Sequence, residues 1–105
     1  MKDIKEYINE AKFNLEKQLE NLAWGVLDYF NQEAVNDWDE NDMKKYVNGD
    51  KEPDYKTIAD EMLATVESED HPNKKTLQFL KDYDKNKEDI DVAILRAMQQ
   101  YVEYI

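Results

Sequence analysis

Apolar residues recur along this chain at three- and four-residue intervals, the period of an amphipathic helix. Ile4, Ile8, Ala11, Leu15, Leu19, Leu22, Val26 and Tyr29 form one stripe, with Glu6, Glu10, Glu16, Lys17 and Glu20 mostly on the other face. Asp3 is placed to cap this first helix, with Glu6 three residues on as its box partner. From Leu22 to Phe30 the run L-A-W-G-V-L-D-Y-F is nearly all apolar, which implies burial on more than one side. Gly25 inside that run costs about 1 kcal/mol relative to alanine. A close helix contact or a bend would account for it. The pattern extends to about Val35 and breaks at N-D-W-D-E-N-D.

A short helix is expected from Met43 to Val47, capped by Asp39 or Asp42 and stopped by Asn48-Gly49. Pro53 or Asp54 opens the next, which places Tyr55, Ile58, Ala59, Met62, Leu63 and Val66 on one face. It ends in S-E-D-H-P, where His71 precedes Pro72 and is biased to an extended conformation. A helix from about Asn73 to Tyr83 carries Leu77, Phe79 and Leu80. The last, from about Lys87 to Tyr104 with Asn86 as its cap, has Ile90, Ala93, Ile94, Ala97, Met98, Tyr101, Val102 and Ile105 along one stripe. No repeat or low-complexity linker interrupts the chain. The fold expected is an all-α, compact single-domain bundle of four to five helices covering residues 1–105. A helical core with a small hairpin in residues 40–57 is the alternative.

Composition supports that reading and adds a charge map. The 105 residues suffice for one modest core. Two glycines and two prolines are too few for the tight turns of an all-β chain. The net charge is −11, unevenly spread. Residues 36–72 hold twelve acids and four bases, whereas residues 73–105 hold six of each. A field of this sign repels nucleic acid and anionic lipid and attracts basic surfaces. Neither direct nucleic-acid binding nor a membrane partner is expected. The N-terminal residues show no apolar signal core, and no run approaches the length of a membrane span, so a cytoplasmic location is the default.

Most site chemistries lack their residues. There is no cysteine, hence no disulfide and no thiolate metal site. His71 is the only histidine, which excludes H-E-x-x-H; an E-x-x-H pair would need an acid where Ser68 stands. Ser68 and His71 have no nucleophile-elbow context, and two isolated glycines make no phosphate loop. The stretch D-Y-D-K-N-K-E-D-I-D, Asp82 to Asp91, begins like a calcium loop, with Asp82, Asp84 and Asn86 at positions 1, 3 and 5. It then fails, with Lys87 in place of the turn glycine and Ala93 in place of the closing glutamate. D-K-E-P-D from Asp50 is no better, with Tyr55 at the glycine position. No cofactor, no metal ligand and no catalytic residue is assigned, and the chain is read as a non-enzyme.

What remains is the acidic middle. Asp37, Asp39, Glu40 and Asp42 surround Trp38; Asp50, Glu52 and Asp54 precede Tyr55; Glu67, Glu69 and Asp70 close the third helix. An aromatic anchor ringed by charge is a sound protein-binding arrangement, because aromatics supply affinity and charges steer encounter. These residues are the expected contact surface for a basic partner protein, such as a nucleic-acid-binding enzyme. In small size, absence of cysteine, helicity and negative charge the chain is similar to the DNA mimics with which phages and mobile elements inhibit restriction or CRISPR nucleases (anti-CRISPR and antirestriction proteins). That likeness is one of composition alone. The alternatives are a helical assembly or adaptor protein that forms a homodimer through aromatic surface, with Y-V-E-Y-I contributing an apolar patch, and a weak divalent-cation binder.

Overall fold

A computed structural model describes the backbone of residues 4–105 and the side chains of residues 14–35 and 37–105. The proposed Asp3–Glu6 cap and the Ile4, Ile8 and Ala11 portion of the first stripe lie outside the described side chains. Five α-helices follow one another: α1 (Ile4–Glu33), α2 (Glu40–Asn48), α3 (Tyr55–Glu67), α4 (Lys74–Lys81) and α5 (Tyr83–Tyr104), with a 3₁₀ turn at Val35–Asp37. Among the described residues there is no strand, and the 40–57 segment is helical on both sides of a short loop. The protein is an all-α single-domain bundle.

α1 ends where Ala34 turns left-handed at φ 49°, so the chain leaves the helix two residues before the hydrophobic pattern does. α2 is longer than its apolar residues suggest, because the Asp39 carboxylate accepts a bond from the Asn41 amide and admits Glu40 to Asp42 into the first turn. Gly49 closes it at φ 82°, the conformation glycine adopts without strain. Asp54 caps α3 and Asn73 caps α4, each by accepting a bond from the amide three residues on.

The boundary between α4 and α5 differs from expectation. Asn86 does not cap the last helix; α5 starts at Tyr83, and only Asp82 (φ −91°, ψ 42°) separates it from α4. The Asn86 side chain instead donates to the Phe79 carbonyl at 3.0 Å, satisfying an orphan acceptor in the last turn of α4. One polar side chain thus staples the two helices at the corner.

The core is built around α5, which packs against α1, α2, α3 and α4. Ile90, Ala93, Ile94, Ala97, Met98 and Tyr101 are buried along it, facing Leu19, Ala23, Val26, Leu27 and Phe30 of α1 and Met43, Ile58, Met62, Val66 and Leu80 of the remaining helices. The buried face of α1 is not the one the stripe predicts over its second half. Leu22 is only half-buried and Tyr29 is 51 % exposed, while Ala23 and Leu27 are fully covered. From Leu22 to Phe30 apolar residues come in adjacent pairs, Leu22–Ala23, Val26–Leu27 and Tyr29–Phe30, and the fold covers the second of each pair more completely than the first.

Candidate interaction surface

The structure divides the eleven residues singled out in the acidic middle into two places. Asp37, Asp39, Glu40 and Asp42 lie on the 3₁₀ turn and the first turn of α2, and Asp50, Glu52 and Asp54 lie on the loop that leads to α3. Lys51 joins these groups: its ammonium stands 3.6 Å from Asp42 Oδ1 and 5.7 Å above the Tyr46 ring. Glu67, Glu69 and Asp70 are exposed at the far end of α3, which at 1.5 Å per residue puts them about 20 Å away. Seven carboxylates therefore flank α2, four at its start and three after its end, with the Lys51–Asp42 pair as the contact between the two groups, and a further three stand at the far end of α3.

Two of the seven have structural work. Asp39 caps α2. The Asp54 carboxylate accepts from both the Thr57 hydroxyl at 2.9 Å and the Thr57 amide at 3.2 Å, and these two bonds hold its pKa below the ordinary value. A depressed carboxylate pKa contributes stability that is present above about pH 4 and is lost as pH falls through the folded-state value. Asp54→Ala is expected to cost about 1 kcal/mol, the usual worth of an N-cap. Urea unfolding at pH 7 and at pH 3 checks this: the difference from wild type should shrink at the lower pH.

Trp38 is not a projecting anchor. It is half-buried, with its ring 5.5 Å from Phe30 in an edge contact and 5.7 Å from Tyr46. Its indole Nε1 is enclosed and has no acceptor among the described residues. Tyr46 and Tyr55 are likewise half-buried against the core. The carboxylates around these aromatics, rather than the rings themselves, face solvent.

A polar cluster that the sequence did not suggest joins α3 to α5. The Tyr83 hydroxyl donates to Asp91 Oδ1 at 2.8 Å, and Lys87 Nζ meets the other carboxylate oxygen at 2.6 Å. Lys56 stands 4.9 Å above the Tyr83 ring and also bonds Asp60. Burial, then the Asp91 bond, push the Tyr83 hydroxyl well above its ordinary pKa. Of the three residues of the apparent calcium loop, Asp82 accepts from the Gln78 side-chain amide and Asn86 donates to the Phe79 carbonyl, while Asp84 is exposed in the first turn of α5. Among the described residues no group of three or more His, Cys, Asp or Glu side chains is arranged to hold a metal ion. His71 is exposed in the α3–α4 loop.

A further surface feature is a groove between α1 and α3. One part, of about 400 Å³, has Leu22, Gly25, Val26 and Tyr29 on one wall and Glu61 and Thr65 on the other. It continues into a second part of about 380 Å³ past Gln18 and Asn21, bounded by Val66 and Glu69. The two helices run in opposite directions along it. At its far end the Thr76 hydroxyl donates to Gln18 Oε1 at 2.7 Å and closes the floor. Gly25 lines this opening: a Cβ built there meets nothing within 4 Å, so the close helix contact expected from the sequence is not made inside the fold.

Comparison with protein-family models, with curated proteins and with solved structures finds no significant match. Among the described residues no helix is long and apolar enough to cross a membrane.

Proposed function

We propose that this chain is a non-enzymatic binding protein whose acidic end engages a basic surface on another protein. A nuclease of a restriction or CRISPR system, inhibited by occupation of its nucleic-acid groove, is the concrete form of the proposal. The observation that carries it is the concentration of seven carboxylates on the 3₁₀ turn, the start of α2 and the α2–α3 loop, nearly all exposed, in a chain of net charge −11. Helix starts present Asp39, Glu40, Asp42 and Asp54 on rigid supports, as phosphates are presented on a duplex, and the loop adds Asp50 and Glu52. Aromatic packing of Trp38 onto Phe30 stiffens the same end. Lys44 and Lys45 dilute the field locally, so recognition rests on individual carboxylates more than on bulk potential.

The test separates charge from folding. Asp39 and Asp54 are left intact because they cap helices, and Asp37, Glu40, Asp50 and Glu52 are changed together to Asn or Gln. Basic proteins captured from a lysate at low salt are eluted across a salt gradient and then titrated with both forms. Wild type is expected to lose affinity by about tenfold or more between 50 and 200 mM salt, as neutralisation-driven complexes do, and the variant should bind weakly with a flatter salt dependence. A partner held equally well by the variant would overturn the assignment.

A further inference from the structure

We infer that the groove between α1 and α3 is a seat for a basic amphipathic helix of the partner protein. The inference rests on the reading of the partner as basic and adds where, and as what shape, part of it is held. Gly25 is the first reason. A glycine in a helix interior destabilises the chain relative to alanine, and here nothing among the described residues occupies the space a side chain would take. The bare backbone instead forms the groove floor between Leu22, Val26 and Tyr29, residues at helical spacing on one face of α1. Glycine at such a place lets another backbone approach closely.

Charge is the second reason. The groove is bordered by Glu61 and, farther along, by Glu69, and neither of its parts is lined by a lysine or arginine. A helix with Leu or Ala on one face and Lys or Arg flanking it complements both floor and rim. From Gln18 to Tyr29 the opening runs about 16 Å, three helical turns. Tyr29, 51 % exposed at one end, is the kind of half-open aromatic that supplies affinity at interfaces. A second copy of this chain is the poorer occupant, because it would bring another net charge of −11 against the same carboxylates.

The experiment uses the full chain, ¹⁵N-labelled, titrated at low salt with an amphipathic Leu/Ala/Lys peptide of about 18 residues, five helical turns, and with a scrambled peptide of the same composition. The patterned peptide is expected to bind about tenfold more tightly than the scrambled one and to shift the amides of Leu22, Gly25, Tyr29 and Thr65, because its apolar face matches the floor. Gly25→Leu fills the floor and should weaken binding about tenfold or more while keeping the helical circular dichroism. Gly25→Ala should raise Tm by a few degrees and also weaken the peptide, separating the needs of the fold from those of the site. Equal binding of the two peptides, shifts confined to residues 37–54, or an unchanged affinity in Gly25→Leu would each overturn the groove assignment. In those cases a basic partner still lost by the four-carboxylate variant keeps the acidic end as the recognition surface, so the two failures are told apart.

Discussion

Ile94→Ala is expected to remove about 3 kcal/mol of stability, a large share of the 5–15 kcal/mol that holds a domain of this size together. Ile94 is fully buried, on the helix that touches all four of the others. The substitution deletes three carbon groups, worth roughly 2.4 kcal/mol in transfer alone. Because α5 is held on several sides at once, it cannot shift to fill the gap without opening another contact, so a cavity term adds to the transfer term. Val92, two residues away and 43 % exposed, is the control: Val92→Ala should change stability by less than about 0.5 kcal/mol. Urea unfolding of both, with an unchanged m-value, measures the difference. Similar losses at the two positions would mean that α5 is not seated on the face described.

The contrast between those positions was readable from the amino acids, since the expected stripe matches the buried face of α5 from Ile90 to Tyr101, although it overruns to Val102, half-buried, and Ile105, 41 % exposed, and misses Tyr83. Helix starts made by short polar side chains were partly readable: Asp39, one of two caps expected for α2, and Asp54, one of two residues expected to open α3, both accept capping bonds, while Asn73 was placed only at the start of α4 and proves to be its cap. Where the reading failed, a tertiary contact had overridden a local signal. Asn86 looks like a cap, but its amide serves the end of the preceding helix, and that choice depends on two helices meeting at a one-residue corner. Tyr29 falls on the apolar stripe, yet its neighbour Phe30 takes the core position and leaves Tyr29 on the groove. Gly25 carried a legible signal, an unfavourable residue inside a strong helix, but not the knowledge that nothing among the described residues covers it. The acidic residues were visible as a composition. Their division between the two ends of α3 required knowing which segments the fold brings together.

Raising the pH above 10 should destabilise this protein steeply, chiefly through Tyr83 and Tyr101, which the core holds in the neutral form, with half-buried Tyr55 adding to the effect. The Tyr101 hydroxyl, 1 % exposed, donates to Asp28 Oδ1 at 2.8 Å, and Asn31 donates back to it at 3.3 Å. Tyr83, 6 % exposed, donates to Asp91. Burial is the leading cause that raises both above the ordinary value of 10.0, followed by the carboxylate each one bonds, since ionisation would set phenolate against carboxylate in a poorly solvated site. Between pH 10 and the folded-state values, the unfolded chain gives up protons that the folded chain keeps. Stability is therefore intact below pH 10 and falls above it, by about 1.4 kcal/mol per pH unit for each tyrosine, or about 2.7 for the pair. The carboxylate partners are 73 residues away for Tyr101 and 8 for Tyr83, so these contacts are lost with the fold rather than carried into the unfolded chain. Urea midpoints measured from pH 8 to 11.5 should be flat at first and then drop steeply. Tyr83→Phe should make the alkaline slope shallower, and at neutral pH it should cost about 1.5–3 kcal/mol, because Asp91 loses a donor to a charged acceptor. A midpoint that declines no faster in wild type than in Tyr83→Phe would show that the hydroxyl is not held neutral by this fold.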